Sequence, residues 1–174
     1  MDKKTVIFDL DGTLAIIEKR RIKAGSPTGD KPTQSKMDWD VFFDAENIKL
    51  DKPNEPVIKM AQLFAEDGFN IVIFSGRNDR SFHTTKSWLS KYRVPFHKLV
   101  MRPDKFLKRG DKIADGNPAT QDMRFMPDEI LKKKMLDIFV DINDVFLVVD
   151  DRDKVVKMWR DLGLNTFQVA PGDF

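Results

Sequence analysis

The sequence of 174 residues contains no cysteine and only two histidines, His83 and His97. The absence of cysteine excludes a disulfide scaffold, a thiolate zinc site and a phosphatase with a cysteine nucleophile. The two histidines stand isolated in the chain, so we expect a surface or capping role for each. Catalysis, if there is any, is expected to rest on other side chains.

Long apolar runs and an excess of charge of one sign are also missing. No apolar stretch approaches the ~18 residues needed to cross a membrane, and residues 1–4 do not resemble a signal peptide. The formal net charge is only +2, so overall charge does not by itself predict a nucleic-acid-binding protein. A hydrophobic content of 41% is enough for a core, and we expect one cytoplasmic domain spanning residues 1–174.

Two common ligand-binding motifs are absent as well. The glycine- and proline-containing stretch 25–32 does not have the Walker A spacing, and the aspartates of segment 104–126 do not fit a calcium loop. We expect irregular backbone in segments 16–53 and 104–126, because glycine and proline interrupt regular structure. Segment 104–126 is either a flap over a site or a plain surface loop.

The most informative stretch is residues 5–14, Thr-Val-Ile-Phe-Asp-Leu-Asp-Gly-Thr-Leu. Its β-branched and aromatic residues predict a strand that ends at Asp9, with Asp11 two positions later. Two carboxylates that leave a buried strand end together repel each other unless a cation lies between them. Mg²⁺ is the expected cation, although an Asp-Gly turn at a strand end is a simpler interpretation.

The remaining pattern alternates apolar strands with amphipathic helices, which predicts an α/β fold built around a mainly parallel sheet. We expect further strands at residues 70–74, 98–101, 145–149 and 166–170. We expect helices at residues 55–67, after residue 79, at 127–140 and after residue 153. Asn54 is the expected cap of the first of these helices, and Ile130 is expected to face inward on the third.

Polar residues follow the predicted strands at their carboxyl ends, where open parallel sheets bind ligands. They are Asp9, Asp11, Ser75, Arg77, Arg102, Asp150 and Asp151. Asp9 suits a nucleophile toward phosphorus, and Asp11 suits an acid and base in turn. Asp150 and Asp151 would complete a Mg²⁺ site with Asp9 and Asp11. Ser75 and a lysine would hold the phosphate oxygens.

Three of these stretches resemble motifs of the haloacid dehalogenase superfamily of phosphotransferases. Residues 8–13 (Phe-Asp-Leu-Asp-Gly-Thr) resemble its first motif, 74–77 (Phe-Ser-Gly-Arg) its second and 148–151 (Val-Val-Asp-Asp) its fourth. The resemblance implies a Rossmann-like three-layer sandwich with a minimal cap, and substrate contacts from Ser75, Gly76 and Arg77. It also implies that Asp151 binds the metal directly while Asp150 supports it.

A narrower resemblance is to the 3′-phosphatase domain of phage-type polynucleotide kinase-phosphatases. It is carried by residues 9–15 with Arg20 nine positions after Asp11, by 74–77, by Asp128 and Lys132, by 150–152, and by the tail pieces 155–160 and 168–174. It implies that Arg20, Arg77 and Asp128 belong to the essential set, with the adjacent Arg21 as the alternative to Arg20. Asp128 and Lys132 are four residues apart on one helical face and could pair, which favours Lys132 over the adjacent Lys133 and Lys134.

The expected function is therefore a Mg²⁺-dependent phosphomonoesterase that acts through an aspartyl-phosphate on 3′-phosphate ends of DNA or RNA. Residues 19–23 and 105–112 could contact the phosphates of the strand. The alternatives are a phosphatase of mononucleotides or other small molecules and a non-catalytic phosphate-binding relative. Trp39, Phe42 and Phe43 are expected to anchor their segment to the core, with base stacking as the alternative. No kinase motif is present, so a free-standing phosphatase is expected.

Overall fold

The computed structural model describes residues 4–25, 37–104 and 123–173 and, within them, a five-stranded parallel sheet. The sheet has the strand order β5-β4-β1-β6-β7. Its strands are β1 (Thr5–Asp9), β4 (Asn70–Asn78), β5 (Lys98–Arg102), β6 (Val145–Asp150) and β7 (Thr166–Gln168). Two short strands, β2 (Ala15–Ile16) and β3 (Lys52–Pro53), pair with each other in antiparallel orientation.

Helices connect these strands and cover the sheet. They are α1 (Glu18–Lys23), α2 (Trp39–Phe42), α3 (Ala45–Ile48), α4 (Glu55–Glu66), α5 (Phe82–Lys91), α6 (Asp128–Phe139) and α7 (Asp153–Asp161). Among the described residues, no helix has the length and apolar character required to cross a membrane.

The alternation of side chains along β1 shows why the fold has three layers. Val6 and Phe8 belong to a buried cluster that also contains residues of α4 and α5, whereas Ile7 belongs to a second cluster with residues of α6 and α7. A strand that is apolar on both sides needs a helical layer on each face. The predicted α/β sandwich with a central parallel sheet is therefore confirmed, and the described residues between β1 and α4 form only short elements.

Parallel pairing brings the carboxyl ends of the strands to one edge of the sheet. Asp9 of β1 pairs in register with Phe74 of β4, and Ser75 of β4 pairs with Met101 of β5. Asp150, the last residue of β6, pairs with Gln168 of β7. This edge is where an open α/β sheet binds its ligands.

Three predictions about these elements were wrong: the end of β4, the cap of α4 and the orientation of one residue of α6. Strand β4 continues to Asn78, because its polar end still pairs with Arg102 of β5. Asn54 occupies the cap position of α4, but its Nδ2 donates to the carbonyl oxygen of Thr13, 2.8 Å away, instead of its side chain capping the helix. Ile130 is 48% exposed, so the buried face of α6 is carried by Leu131 and its neighbours instead.

The segment between residues 16 and 53 was predicted to be irregular, but its described parts form β2, β3 and three short helices. Residues 26–36 and 105–122 lie outside the described residues. The predicted flap and the basic residues 105–112 therefore stay predictions.

Candidate active site

A cavity of about 710 Å³ opens at the carboxyl edge of the sheet. Six of the predicted site residues line it: Asp9, Asp11, Gly76, Asp128, Lys132 and Asp151. The other four, Arg20, Ser75, Arg77 and Asp150, are buried and lie outside the described lining. The structure thus divides the predicted set into groups that face the cavity and groups that act from behind them.

Three carboxylates form a compact acidic cluster at the cavity floor. Ligand atoms of Asp9, Asp150 and Asp151 all lie within 4.8 Å of one another, and all three residues are buried. Burial raises the pKa of Asp9 well above its usual value, and the charges of Asp150 and Asp151 raise it further against the attraction of Lys132. Burial and the neighbouring charge of Asp150 raise the pKa of Asp151 to about 6.

One oxygen of this cluster has no hydrogen-bond partner in the described part of the chain. It is Oδ2 of Asp9, which is buried, whereas Oδ1 of Asp9 accepts a hydrogen bond from Nζ of Lys132 at 2.6 Å. A buried oxygen without a partner, beside two further carboxylates, fits a hard divalent cation, because such a cation prefers oxygen ligands. The residues present therefore suit Mg²⁺.

The carboxylates of Asp150 and Asp151 differ in the number of hydrogen bonds that they accept. Asp151 accepts one from Oγ1 of Thr13, at 3.5 Å, whereas Asp150 accepts four. Oδ1 of Asp150 accepts from the backbone N–H groups of Asp151 and Arg152 at 2.9 and 3.3 Å. Its Oδ2 accepts from Nζ of Lys132 at 2.8 Å and from Nε1 of Trp159 at 3.3 Å. Both oxygens of Asp150 are thus engaged by the protein, which suits a supporting group more than a direct metal ligand.

Gly12 gives Asp151 the room it needs. A Cβ atom at this position would lie 2.1 Å from Oδ2 of Asp151. Gly12 also has a φ of +87°, a backbone conformation that residues other than glycine rarely adopt. The Asp-Gly step of the first motif therefore brings the backbone against the carboxylate that follows β6.

Lys132 is the member of its lysine triplet that reaches the site. It is 3% exposed and contacts Asp9 and Asp150, whereas Lys133 is exposed and pairs with Asp137. Burial opposes its charge, but the two carboxylates raise the pKa of Lys132 far above its usual value. The ammonium therefore stays charged in the interior.

Asp128 and Lys132 lie on one helical face as predicted, and the charge of Asp128 helps to raise the pKa of Lys132, but the carboxylate makes its hydrogen bonds to two arginines instead. Oδ1 of Asp128 accepts from Nη2 of Arg102 at 2.6 Å, and its Oδ2 accepts from Nη1 of Arg152. Gly76 allows this approach, because a Cβ there would lie 2.8 Å from Oδ1 of Asp128. Asp128 therefore joins the ends of β4, β5 and β6 through two arginines.

Asp11 is held by two buried arginines instead of joining the acidic cluster. Its Oδ1 accepts from Nη2 of Arg20 at 2.6 Å and from Nε of Arg77 at 2.7 Å. Burial alone would raise the pKa of Asp11, but the two guanidinium groups lower it to about 2. Asp11 was predicted to bind the metal together with Asp9, Asp150 and Asp151. Its side chain is not part of the cluster that those three carboxylates form.

The two arginines share a second carboxylate that sequence reasoning missed. Asp51 accepts from Nε and Nη2 of Arg20, each at 3.0 Å, and from Nη2 of Arg77 at 2.8 Å. Burial and the charge of Asp11 raise the pKa of Asp51 to about 6. A single Asp between Leu50 and Lys52 matches no motif, so only its long-range contacts reveal it.

Ser75 is placed differently from what was expected, whereas Arg102 and the two histidines are not. Ser75 is fully buried, and its Oγ accepts a hydrogen bond from the backbone N–H of Arg77 at 3.1 Å, so it stabilises the end of β4. Arg102 forms an ion pair with Asp128 and also lines the cavity, so its guanidinium serves the fold and is accessible from the site. His83 and His97 do not line the cavity, and Nδ1 of His97 accepts from the backbone N–H of Ile71.

The parallel sheet, the carboxylates after β1 and β6, and the buried lysine of α6 together define a phosphatase of the haloacid dehalogenase type. Residues 31–174 match the family described as the polynucleotide kinase PNKP phosphatase domain. The chain belongs to that family, and the predicted resemblance is confirmed.

Individual relatives agree with this assignment. A protein of Autographa californica nuclear polyhedrosis virus, named as a bifunctional polynucleotide kinase/RNA ligase, is 28% identical over 167 residues, which cover 94% of this chain and 19% of that protein. A chain of the Pnkp1/Rnl/Hen1 RNA repair complex has a TM-score of 0.69 at 28% identity, covering 98% of this chain and 44% of that chain. A haloacid dehalogenase-like hydrolase from Streptococcus pneumoniae shares the fold, with a TM-score of 0.61 at 11% identity over 95% of this chain and 83% of that chain.

This chain therefore spans about a fifth of the viral relative and less than half of the Pnkp1/Rnl/Hen1 chain.

Proposed function

We propose that this protein is a Mg²⁺-dependent phosphomonoesterase that removes terminal 3′-phosphates from DNA or RNA through an aspartyl-phosphate on Asp9. The observation that carries the proposal is the buried carboxylate of Asp9, whose Oδ1 accepts from Nζ of Lys132 and whose Oδ2 has no hydrogen-bond partner among the described residues. A carboxylate oriented in this way at the edge of a cavity suits nucleophilic attack on phosphorus.

The reaction has two halves. In the first half, one carboxylate oxygen of Asp9 forms a bond to phosphorus while the bond between phosphorus and the 3′-oxygen breaks, and that 3′-oxygen takes up a proton from Asp11. In the second half, water attacks the phosphorus of the aspartyl-phosphate, which releases inorganic phosphate and restores the carboxylate. Lys132 keeps a positive charge beside the reacting oxygens throughout, which stabilises the charge that develops on them.

Asp11 is the proposed proton carrier. The pKa of Asp11, about 2, keeps its carboxylate ionised before substrate binds. In this form Asp11 can act as the base that takes a proton from the attacking water. A phosphate dianion beside it adds negative charge, which raises its pKa and favours the protonated form needed at the leaving oxygen. Arg20 and Arg77 hold its carboxylate in one orientation between these steps.

Asp9 and Asp151 are the proposed direct ligands of Mg²⁺, and Asp150 supports them because the protein already engages both of its oxygens. When bound, the ion neutralises charge on the transferring phosphoryl oxygens.

The charges around the cavity support a requirement for a divalent cation. The basic residues of the described lining are Arg21, Arg80, Arg102, Arg124, Lys132 and Arg152. The acidic ones are Asp9, Asp11, Asp40, Asp104, Asp128 and Asp151. Because these formal charges balance, a bound divalent cation would give the cavity a net positive charge, which favours a phosphate dianion.

Two observations favour a nucleic-acid end as substrate. The relatives include a protein named as a polynucleotide kinase/RNA ligase and a chain of an RNA repair complex. The described part of the cap consists of short elements, so a polymer end can enter the cavity. A mononucleotide could enter as well, and it is the second candidate substrate.

The test is phosphate release from a matched panel of substrates, with and without Mg²⁺. We expect release from a 3′-phosphorylated oligonucleotide with Mg²⁺, and much less from the same oligonucleotide phosphorylated at its 5′ end. Equal turnover of free mononucleotides would contradict the polymer-end assignment. No release from any substrate would leave only a non-catalytic phosphate-binding protein.

A further inference from the structure

Two exposed aromatic side chains stand at the same cavity as the acidic cluster. Trp39 is 43% exposed and Phe125 is 81% exposed, and both line the cavity. Exposed apolar surface beside a polar site is a common mark of ligand binding, because its removal from water on binding is favourable. The catalytic scheme above uses neither residue.

Trp39 is held rigidly despite its exposure. It opens helix α2, whose cap Asp38 accepts from the backbone N–H groups of Asp40 and Val41, each at 3.1 Å. Its ring stacks on Phe43 with a centroid distance of 5.8 Å and an interplanar angle of 21°. The rings of Trp39 and Phe42 form a T-shaped pair, with a centroid distance of 5.5 Å and an interplanar angle of 84°. The prediction that these aromatics anchor the segment to the core therefore holds for Phe42, which belongs to the buried cluster, and for Phe43, which packs against it, but not for Trp39.

Phe42 connects the aromatic cluster of Trp39, Phe42 and Phe43 to the candidate active site. The guanidinium of Arg20 lies 4.2 Å from the centroid of the Phe42 ring, and its Nη1 donates to the carbonyl oxygen of Phe42 at 3.0 Å. The same guanidinium donates through Nη2 to Asp11 at 2.6 Å. Arg20 therefore contacts both the aromatic cluster of Trp39, Phe42 and Phe43 and the carboxylate of Asp11, which fixes their relative positions.

Phe125 is fixed by a different arginine. Nη1 of Arg102 donates to the carbonyl oxygens of Arg124 and Met126, at 2.9 and 2.7 Å, on either side of Phe125. The guanidinium of Arg124 also lies 4.9 Å from the centroid of the Phe125 ring. Phe125 thus stands exposed on a backbone that is attached to the end of β5.

We propose that Trp39 and Phe125 form the binding site for the nucleobase of the terminal, 3′-phosphorylated nucleotide. The inference rests on the proposed function, since the phosphate of that nucleotide would occupy the cluster around Asp9. A base offers a flat ring to any aromatic side chain, so stacking accepts every base without reading its identity. The cavity of about 710 Å³ is also of the size that takes a nucleotide-sized ligand.

The test compares two oligonucleotides that differ only in the terminal nucleotide, which is normal in one and abasic in the other. Both carry a 3′-phosphate, and kcat and KM are measured for each with the full chain. We expect the native protein to prefer the base-containing substrate, mainly through KM. Trp39→Ala and Phe125→Ala should each raise KM for that substrate by roughly five-fold or more, with little effect on the abasic one.

Matched variants separate stacking from damage to the fold. Trp39→Phe keeps an aromatic ring and should retain most of the preference for the base. Phe167→Ala removes another exposed aromatic, 55% exposed and outside the described lining, and should change neither substrate. Thermal unfolding of each variant shows whether the protein remains folded.

The possible results have different meanings. Equal losses on both substrates in Trp39→Ala, or equal kinetics of the native protein on both, would overturn the base site while leaving the phosphatase assignment intact. No phosphate release from either substrate by the native protein would refute the proposed function, and the base site with it.

Discussion

Arg20→Lys tests the buried network that holds Asp11. Arg20 is fully buried and donates four hydrogen bonds, two to Asp51, one to Asp11 and one to the carbonyl oxygen of Phe42. Lysine retains the positive charge but offers a single ammonium in place of the planar fork. It cannot reach all four acceptors, so at least one buried oxygen loses its partner.

The size of the effect follows from these contacts. A buried acceptor that loses its donor costs about 1–3 kcal/mol, and more when the acceptor is charged. We therefore expect the free energy of unfolding to fall by about 2–4 kcal/mol, measured by urea denaturation. For a chain of this length that change corresponds to a decrease in Tm of about 4–16 °C. Phosphatase activity should fall as well, because the second donor to Asp11 is weakened.

Arg160→Lys is the matched control. Arg160 is exposed and donates only one hydrogen bond at 3.3 Å, to the carbonyl oxygen of Thr166. The same substitution there should cost less than about 1 kcal/mol. Equal stability of the two variants would refute the reasoning that the Arg20 fork stabilises this network.

Three further predictions use controls from the same chain. Lys132→Met should lower kcat by roughly 100-fold or more because it removes the charge beside Asp9, whereas Lys133→Met should leave kcat unchanged. Gly12→Ala should lose both Tm and activity because its Cβ would clash with Asp151, while Gly68→Ala, with a φ of +89° and nothing within 4 Å, should show only backbone strain. The pKa of Asp151 in the folded protein is about 6, above its usual value of 3.8. Without metal, protonated Asp151 therefore favours the folded state at low pH. This contribution to stability is lost as the pH rises through about 6. Added Mg²⁺ should therefore raise Tm more at about pH 7.5 than at about pH 5, and Asp151→Asn should remove the difference; an equal Tm increase at both values would contradict the metal site.

The sequence predicted the layers and the catalytic edge because those features are local. A strand such as β1 is recognisable from its continuous apolar run, and its polar continuation marks the edge that binds ligands. Parallel topology then requires Asp9 and Asp151 to approach one another. The exact end of β4 was less predictable, since Ser75 and Gly76 read as a turn until pairing with β5 is known.

The contacts behind the site could not be predicted in the same way. Asp51 reaches Arg20 and Arg77 across 31 and 26 residues of sequence, and no spacing rule connects them. Lys132 was favoured because it lies four residues from Asp128, yet its partners are Asp9 and Asp150. Tertiary packing, and not helical periodicity, selects this lysine.

The central claim is that Asp9 carries the phosphoryl group. The direct measurement uses a 3′-phosphorylated oligonucleotide with a labelled phosphate, incubated with the native protein and stopped during turnover by rapid acid quenching. The label should be found covalently attached to the peptide that contains Asp9, and an Asp9→Asn variant should be folded, inactive and unlabelled. Full activity of Asp9→Asn, or release of phosphate with label attached elsewhere in the chain, would contradict the account.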